Sequence, residues 1–378
     1  MLNTSLIKSS MRRLGLSGKA LADTCTVSKE AVSNWLNGES VPRPSKLAAL
    51  AEALKLSVEE LFELDAEAPV DPVVAYRMRN NRAPTPAVQE AGEEVGRHLR
   101  QLLPFTGGEQ LFTPRHLDAP CLDDAYIARA AAGTRAALGL NGTDPVTRDH
   151  LIRLFHDFGA FLVPVFWGGD RDGHENAMSV YLPDSKASWV LFNMGCRLDD
   201  FSYWLAHEFG HCLTLHRLQG DDGEDFAERF APTLLFPEEV AKQALIAMRE
   251  STAPLAVANW YAGTYGISVV TVVKAVDRAS TRAGGKATGL ATGPFYGAWK
   301  RSRKTAATAA KELFGTDTPS PMEYVVKSEQ VFRTPVFRAI AKWQRATEGR
   351  SPAFVASALN ITVGEAVTLS HVLWELAD

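Results

Sequence analysis

Long apolar runs are missing from this chain. None of its 378 residues falls in an uninterrupted apolar stretch of about 18, the length a membrane-spanning helix needs. The start of the sequence also lacks the charged-then-apolar leader of an exported protein, so a soluble cytoplasmic protein is expected. Cysteine is scarce. The four residues Cys25, Cys121, Cys196 and Cys212 form no Cys-x-x-Cys pair, which excludes a disulfide framework and fits a reducing compartment. Neither sign of charge dominates. A net charge of −4 predicts no general attraction to nucleic acid or to a membrane surface. Internal repeats are absent too. What remains is a chain with 46% hydrophobic residues, enough to build cores for two or three domains.

The most informative segment is Tyr203-Trp204-Leu205-Ala206-His207-Glu208-Phe209-Gly210-His211-Cys212-Leu213. Histidines at i and i+4 share one helix face, where their ring nitrogens can hold one Zn²⁺. Glu208 points about 100° away from His207, so it is placed to take a proton from water rather than to act as a ligand beside it. The flanks Tyr203, Trp204, Leu205, Ala206, Phe209, Leu213 and Leu215 read as a buried helix. A hydrolytic zinc site needs a third protein ligand and an open fourth position. Downstream, Glu224, Ala227 and Ala231 fall on one helical stripe, and small residues beside an acid let two helices approach closely. Glu224 is the expected third ligand. Glu228, one turn on, is the alternative, and Asp225 a weaker one. Asp221 and Asp222 suit the solvated first turn of a helix.

These residues resemble the ImmA/IrrE-type zinc metallopeptidases. That family's pattern is a strand ending in Asn, a helix carrying Ala-His-Glu-Leu-Gly-His, then Glu-x-x-Ala-x-x-Phe-Ala-x-x-Leu-Leu-Met-Pro. Here it is matched by Trp189 to Asn193, Ala206 to His211, Glu224, Ala227, Phe230-Ala231 and Leu234-Leu235-Phe236-Pro237. Phe209 and Phe236 replace the commoner Leu and Met. Leu151 to Val165 looks like the family's helix leading into a first strand. The resemblance covers residues 120–240 and implies one zinc, peptide-bond hydrolysis and cleavage of a DNA-binding repressor protein.

Residues 1–64 carry an independent signal. Leu16 to Ala22 reads as a short helix and Cys25-Thr26-Val27 as a turn. Ser28 then caps Lys29 to Leu36, which Asn37-Gly38 closes. Lys46 to Leu54 is amphipathic, with a further turn at Val58 to Phe62. This resembles the XRE-type helix-turn-helix, whose second helix docks in the DNA major groove. By position, Lys29, Glu30, Ser33 and Asn34 would face base edges or phosphates, while Ala22, Val32, Leu36, Leu47 and Leu50 pack inside. Eight Lys/Arg stand against seven Asp/Glu in residues 1–64, so phosphate attraction alone gives weak binding. A helical module that contacts another protein is the competing reading.

The expected architecture is α+β. It comprises a helix-turn-helix domain (1–65), a linker and helical connector (66–118), a small-sheet zincin-like peptidase (119–279), then a mobile loop and helical region (280–378). Arg77, Arg79 and Arg82 form a basic patch in the connector. Asp123 to Leu138, Pro145 to Phe158, Glu238 to Arg249, Val269 to Ala279, Phe332 to Trp343 and Ser351 to Leu376 read as helical. Phe295 to Lys304 sets aromatics beside four basic residues, a pattern that would suit a single-stranded nucleic acid effector. Pro120-Cys121 is similar to the cysteine-switch loop of matrix metalloprotease prosegments, which implies Cys121 as an inhibitory metal ligand. The expected function is a zinc metalloendopeptidase that cuts a helix-turn-helix repressor in a stress, phage or defence response. A DNA-binding regulator whose zinc domain is only a sensor or scaffold, and an antitoxin-like binding module, are the alternatives.

Overall fold

Short polar residues at fixed positions build the first helices. In a computed structural model, Asn3 accepts from the Leu6 N–H (2.9 Å) to start α1 (Thr4–Leu14), which Gly15 ends in the left-handed conformation. Ser17 accepts from Ala20 (3.1 Å) at the head of α2 (Gly18–Cys25), and Ser28 from Ala31 (3.1 Å) at the head of α3 (Lys29–Leu36). Each such cap contributes about 1 kcal/mol. Proline stands at the start of α4 (Pro44–Leu54). Ala22, Val32 and Leu50 are buried with Ile7, Trp35 and Leu54, and Leu36 and Leu47 pack half-buried against them. Helix α1 is not marked by the sequence pattern, yet Ile7 and Met11 close the core, and Asn3 N–H donates to Leu61 O (2.7 Å).

The structure describes residues 2–37, 40–58, 61–62, 70–76, 85–107, 115–167, 177–349 and 351–376. The basic patch Arg77, Arg79 and Arg82 lies outside them. Two compact units result, Met1–Val70 and Asp71–Asp378. The connector, sheet and C-terminal helices foreseen as separate segments share the second unit almost entirely.

The second unit is organised on a mixed sheet of order β1-β3-β4-β2, made of β1 (Val73–Tyr76), β2 (Phe161–Val165), β3 (Ala177–Leu182) and β4 (Ala187–Asn193). β2 runs parallel to β4 with Phe161 opposite Trp189, and β3 runs antiparallel to both β4 and β1, with Ala75 opposite Ser179. The near-continuous apolar run Trp189-Val190-Leu191-Phe192 is what a strand covered on both faces requires. Alternation along β3 shows the covering. Val180 meets α5 (Pro86–Leu102) near Gly96, while Ser179 and Tyr181 point the other way, toward Glu208 and Leu215.

Helices α6 (Asp124–Ala137) and α7 (Arg148–Phe158) lead into the sheet, and Gly159 (φ 84°) turns the chain from α7 toward β2. After β4 come α8 (Leu198–Thr214), α9 (Gly220–Leu235), α10 (Glu238–Glu250), α11 (Pro254–Tyr265) and α12 (Val269–Arg282). The segment read as a mobile loop is tied back: Asp277 accepts from the Thr288 N–H (2.6 Å) and hydroxyl (2.7 Å), and the Ser280 hydroxyl donates to Lys286 O (2.6 Å). Then follow α13 (Gly293–Arg303), α14 (Ala309–Phe314), α15 (Pro321–Phe332), α16 (Val336–Ala346), α17 (Pro352–Leu359) and α18 (Val363–Glu375). The stretch expected as one helical run over 351–376 breaks at Asn360, which adopts φ 51°, and the two pieces meet at 110°. Among the described residues no single helix is long and apolar enough to cross a membrane.

Gly96 is where α5 meets the start of β1. A Cβ there would lie 2.4 Å from Pro72 Cβ, whose ring cannot yield. Gly96→Ala is therefore expected to lower stability by about 1–3 kcal/mol through overpacking. Gly133→Ala on α6, where a Cβ meets nothing within 4 Å, should instead stabilise by up to about 1 kcal/mol. Urea unfolding of the two variants checks the pair.

Candidate metal centre

Asn193 ends β4 and shapes the turn into the motif helix. Its Oδ1 accepts from the Gly195 N–H (3.0 Å) and the Trp167 N–H (3.3 Å). The chain around Ala307 to Ala310 braces the same turn: Leu198 N–H donates to Ala307 O (3.0 Å) and Ala310 N–H to Met194 O (2.9 Å). From this anchored start α8 carries His207, Glu208 and His211, all buried, into contact with α9.

The two helices touch with no side chain from α8 between them, Gly210 facing Ala227 and the edge of the Phe230 ring. A Cβ on Gly210 would stand 3.1 Å from Ala227 Cα, and Ala227 and Ala231 are fully buried, as their stripe requires. At the start of α9, Gly223 lies against Leu218 O, where a Cβ would come within 2.9 Å. This close approach carries Glu224, one turn before Ala227, to the histidines. Glu224 Oε2 is 3.4 Å from His207 Nε2, Glu224 Oε1 is 3.1 Å from His211 Nε2, and the two Nε2 atoms are 3.2 Å apart.

His207, His211 and Glu224 converge in a mostly apolar place, where either a cation or imidazole N–H groups satisfy the acceptors. Tetrahedral zinc bonded at about 2.0–2.1 Å separates its ligand atoms by about 3.3–3.4 Å. The observed separations lie at that value or up to about 0.3 Å below it, so this donor set fits such an ion after a small expansion. Burial alone would raise the Glu224 pKa. The charge of His211 and hydrogen bonds from both histidines outweigh it, holding the carboxyl below its ordinary range.

Glu208 points away from the donors, and its Oε2 accepts from the Ser179 hydroxyl of β3 (2.5 Å). Ser179 was not foreseen, because β3 is the strand that sequence reading did not separate from its surroundings. Tyr203 stacks on His207 (centroids 6.3 Å) and Trp204 meets it edge-on (5.7 Å), so both pack against the site. Glu228 is half-buried and lies outside the converging group, and Asp225 is exposed and pairs with Arg229. Cys121 is exposed and is not brought to the three donors. Cys212 is buried inside, where desolvation and the nearby Glu208 push its thiol pKa well up. His216 stacks on His116 (centroids 4.4 Å) instead of joining the group. Burial, then His216 and Lys186, push the His116 pKa down to about 4.

On α3, Lys29, Glu30, Ser33 and Asn34 all lie on the exposed face, opposite buried Val32 and Trp35. On α13, Lys300 and Arg301 are exposed, while Trp299 is half-buried beneath the guanidinium of Arg303 (4.7 Å).

The helix-turn-helix family model matches residues 7–61, which span α1 to α4. The N-terminal domain is a helix-turn-helix. It is of the XRE type, a DNA-binding module of transcriptional regulators. No curated protein and no solved structure matches the chain. The resemblance of residues 120–240 to ImmA/IrrE-type peptidases therefore rests on the residues and geometry above.

Glu224 and Glu228 are separable by experiment. Glu224→Ala and His207→Ala should each lose most of the metal taken up by the wild-type protein, about one atom per chain. Glu228→Ala should keep it. Elemental analysis after gel filtration decides, and the reverse result for the two glutamates would move the third ligand to Glu228.

Proposed function

We propose that this protein is a DNA-binding regulator whose larger domain is a zincin-like zinc endopeptidase. The observation that carries the reading is the pairing of three converging donors, His207, His211 and Glu224, with a separate buried carboxylate, Glu208, on the next helix position. A site that only braces a fold needs no such base. When bound, Zn²⁺ supplies Lewis acidity that polarises a peptide carbonyl. Glu208 takes the proton of the attacking water and passes it to the leaving amine. The Ser179 hydroxyl fixes the carboxylate by donating to Oε2. Tyr203 and Trp204 cover one side of His207 and limit its motion.

The helix-turn-helix gives the peptidase an address. A DNA-binding repressor of the same kind is the substrate we propose, cut once, in the cytoplasm, to release transcription. The helix-turn-helix match by itself also fits a second reading, a regulator whose metal domain senses or braces without turnover.

Glu208→Gln separates the two. On the peptidase reading it lowers cleavage of a helix-turn-helix repressor by about 10²–10⁴-fold, the usual worth of a general base, with metal content unchanged. Wild-type protein that holds metal and binds operator DNA, yet cuts neither a repressor nor unfolded casein, would leave the sensor reading.

The exposed face of α3 makes its own prediction. An Asn side chain at Asn34 suits adenine in the major groove. Asn34→Ala should relax sequence preference by about 1–3 kcal/mol at one base pair, while Lys29→Ala weakens binding uniformly and shallows its salt dependence. Fluorescence anisotropy at several salt concentrations reads both.

A further inference from the structure

A cavity of about 400 Å³ lies among α6, α9, α10 and α12, with a wall that no step above employs. Four arginines line it, Arg135, Arg229, Arg278 and Arg282, against three carboxylates, Asp124, Glu238 and Glu239. The wall thus carries an excess of positive charge, and the pairing within it is uneven. Asp124 is used twice, by Arg229 and by Arg282 (2.5 Å), and Arg282 also reaches Glu238 (3.3 Å). Hydrogen bonding from Arg229 holds the Asp124 carboxyl below its ordinary range.

The other two arginines feel an acid only at a distance, Asp144 for Arg135 and Asp124 for Arg278, and neither is paired with one directly. Arg135 is 4% exposed, and its guanidinium donates to the carbonyls of Leu234, Asn141 and Asp144. Arg278 reaches solvent and, among the described residues, forms no hydrogen bond or ion pair. A guanidinium presents five donors in a planar fork suited to a carboxylate or phosphate. Packing around Arg278 and the like charge of Arg282 disfavour its cation more than Asp124 and Tyr203 favour it, a cost that a bound anion would relieve. The remaining wall is apolar, including Ile127, Ala131, Pro232, Phe236 and Ala279. The volume falls within the range of about 300–1,000 Å³ typical of small-molecule sites.

We propose that this cavity binds a small organic anion, with its carboxylate or phosphate held by Arg278 and its apolar body against Phe236 and Pro232. His207, His211 and Glu224 do not line the cavity, although Tyr203, which stacks on His207, lies within electrostatic reach of Arg278. Two head groups share the recognising chemistry, and the probes distinguish them.

Isothermal titration of the full chain with phenyl phosphate, benzoate, phenol and inorganic phosphate tests this. One of the two aromatic anions should bind one-to-one with a dissociation constant of about 1 mM or tighter. The tighter of the two identifies the head group. Phenol and inorganic phosphate should each bind at least about tenfold more weakly, since each lacks one half of the recognised chemistry. Arg278→Gln should weaken the anion by about ten- to hundredfold, with Arg278→Lys between it and wild type. Because Arg278 makes no bond within the fold, the unliganded Tm of Arg278→Gln should match wild type. Equal binding of phenol, equal binding of inorganic phosphate, undiminished binding by Arg278→Gln, or no binding of either aromatic anion would each overturn the proposal.

Discussion

The contact between Gly210 on α8 and Ala227 on α9 is the constraint on which the centre depends. Two histidines one helical turn apart are a local feature of one element, but the third donor belongs to another. It can come within 3.1 and 3.4 Å of the imidazoles because α8 presents only a glycine to α9 at the crossing. Any larger residue at Gly210 would drive α9 outward. The rest of the domain holds this crossing in place. Asn193 and the Ala307–Ala310 segment fix the start of α8, and Gly223 seats the start of α9 on Leu218 O.

The same packing gives each polar group in the centre distinct neighbours. His207, His211 and Glu224 converge, whereas Glu208, on the same helix as the histidines, is turned toward β3 and held by Ser179. Buried ionisable groups cost free energy unless each meets a partner or an ion. The N-terminal domain works by different physics. Its near balance of charges gives little phosphate attraction.

Elements whose signals are local were legible. The Ser28 cap, the i,i+4 histidines, the small-residue stripe of α9 and the apolar run of β4 each declare themselves within a dozen residues, and each is found where expected. Elements that depend on distant partners were not. β1 is four residues long and exists because β3 offers it an edge. Apolar residues are scattered around α11, with Trp260 exposed and Ala258 buried, so its sequence shows no clear face. The break at Asn360 rests on one residue entering the left-handed region, to which Asn is tolerant but not bound.

By itself, then, the sequence determined which side chains share a helix face, because the spacing of His207 and His211, and of Glu224 and Ala227, follows from helix geometry. It also determined that the first domain is helical and capped in the pattern of a helix-turn-helix. Only the tertiary structure decided that Glu224 rather than Glu228 meets the histidines, and that Ser179 touches Glu208. It alone left Cys121 in solvent and set Arg135 and Arg278, 143 positions apart by their numbering, in one cavity wall. Those outcomes turn on how elements remote in sequence pack. Packing is settled by shape and burial over the whole core, and no short window of residues contains it.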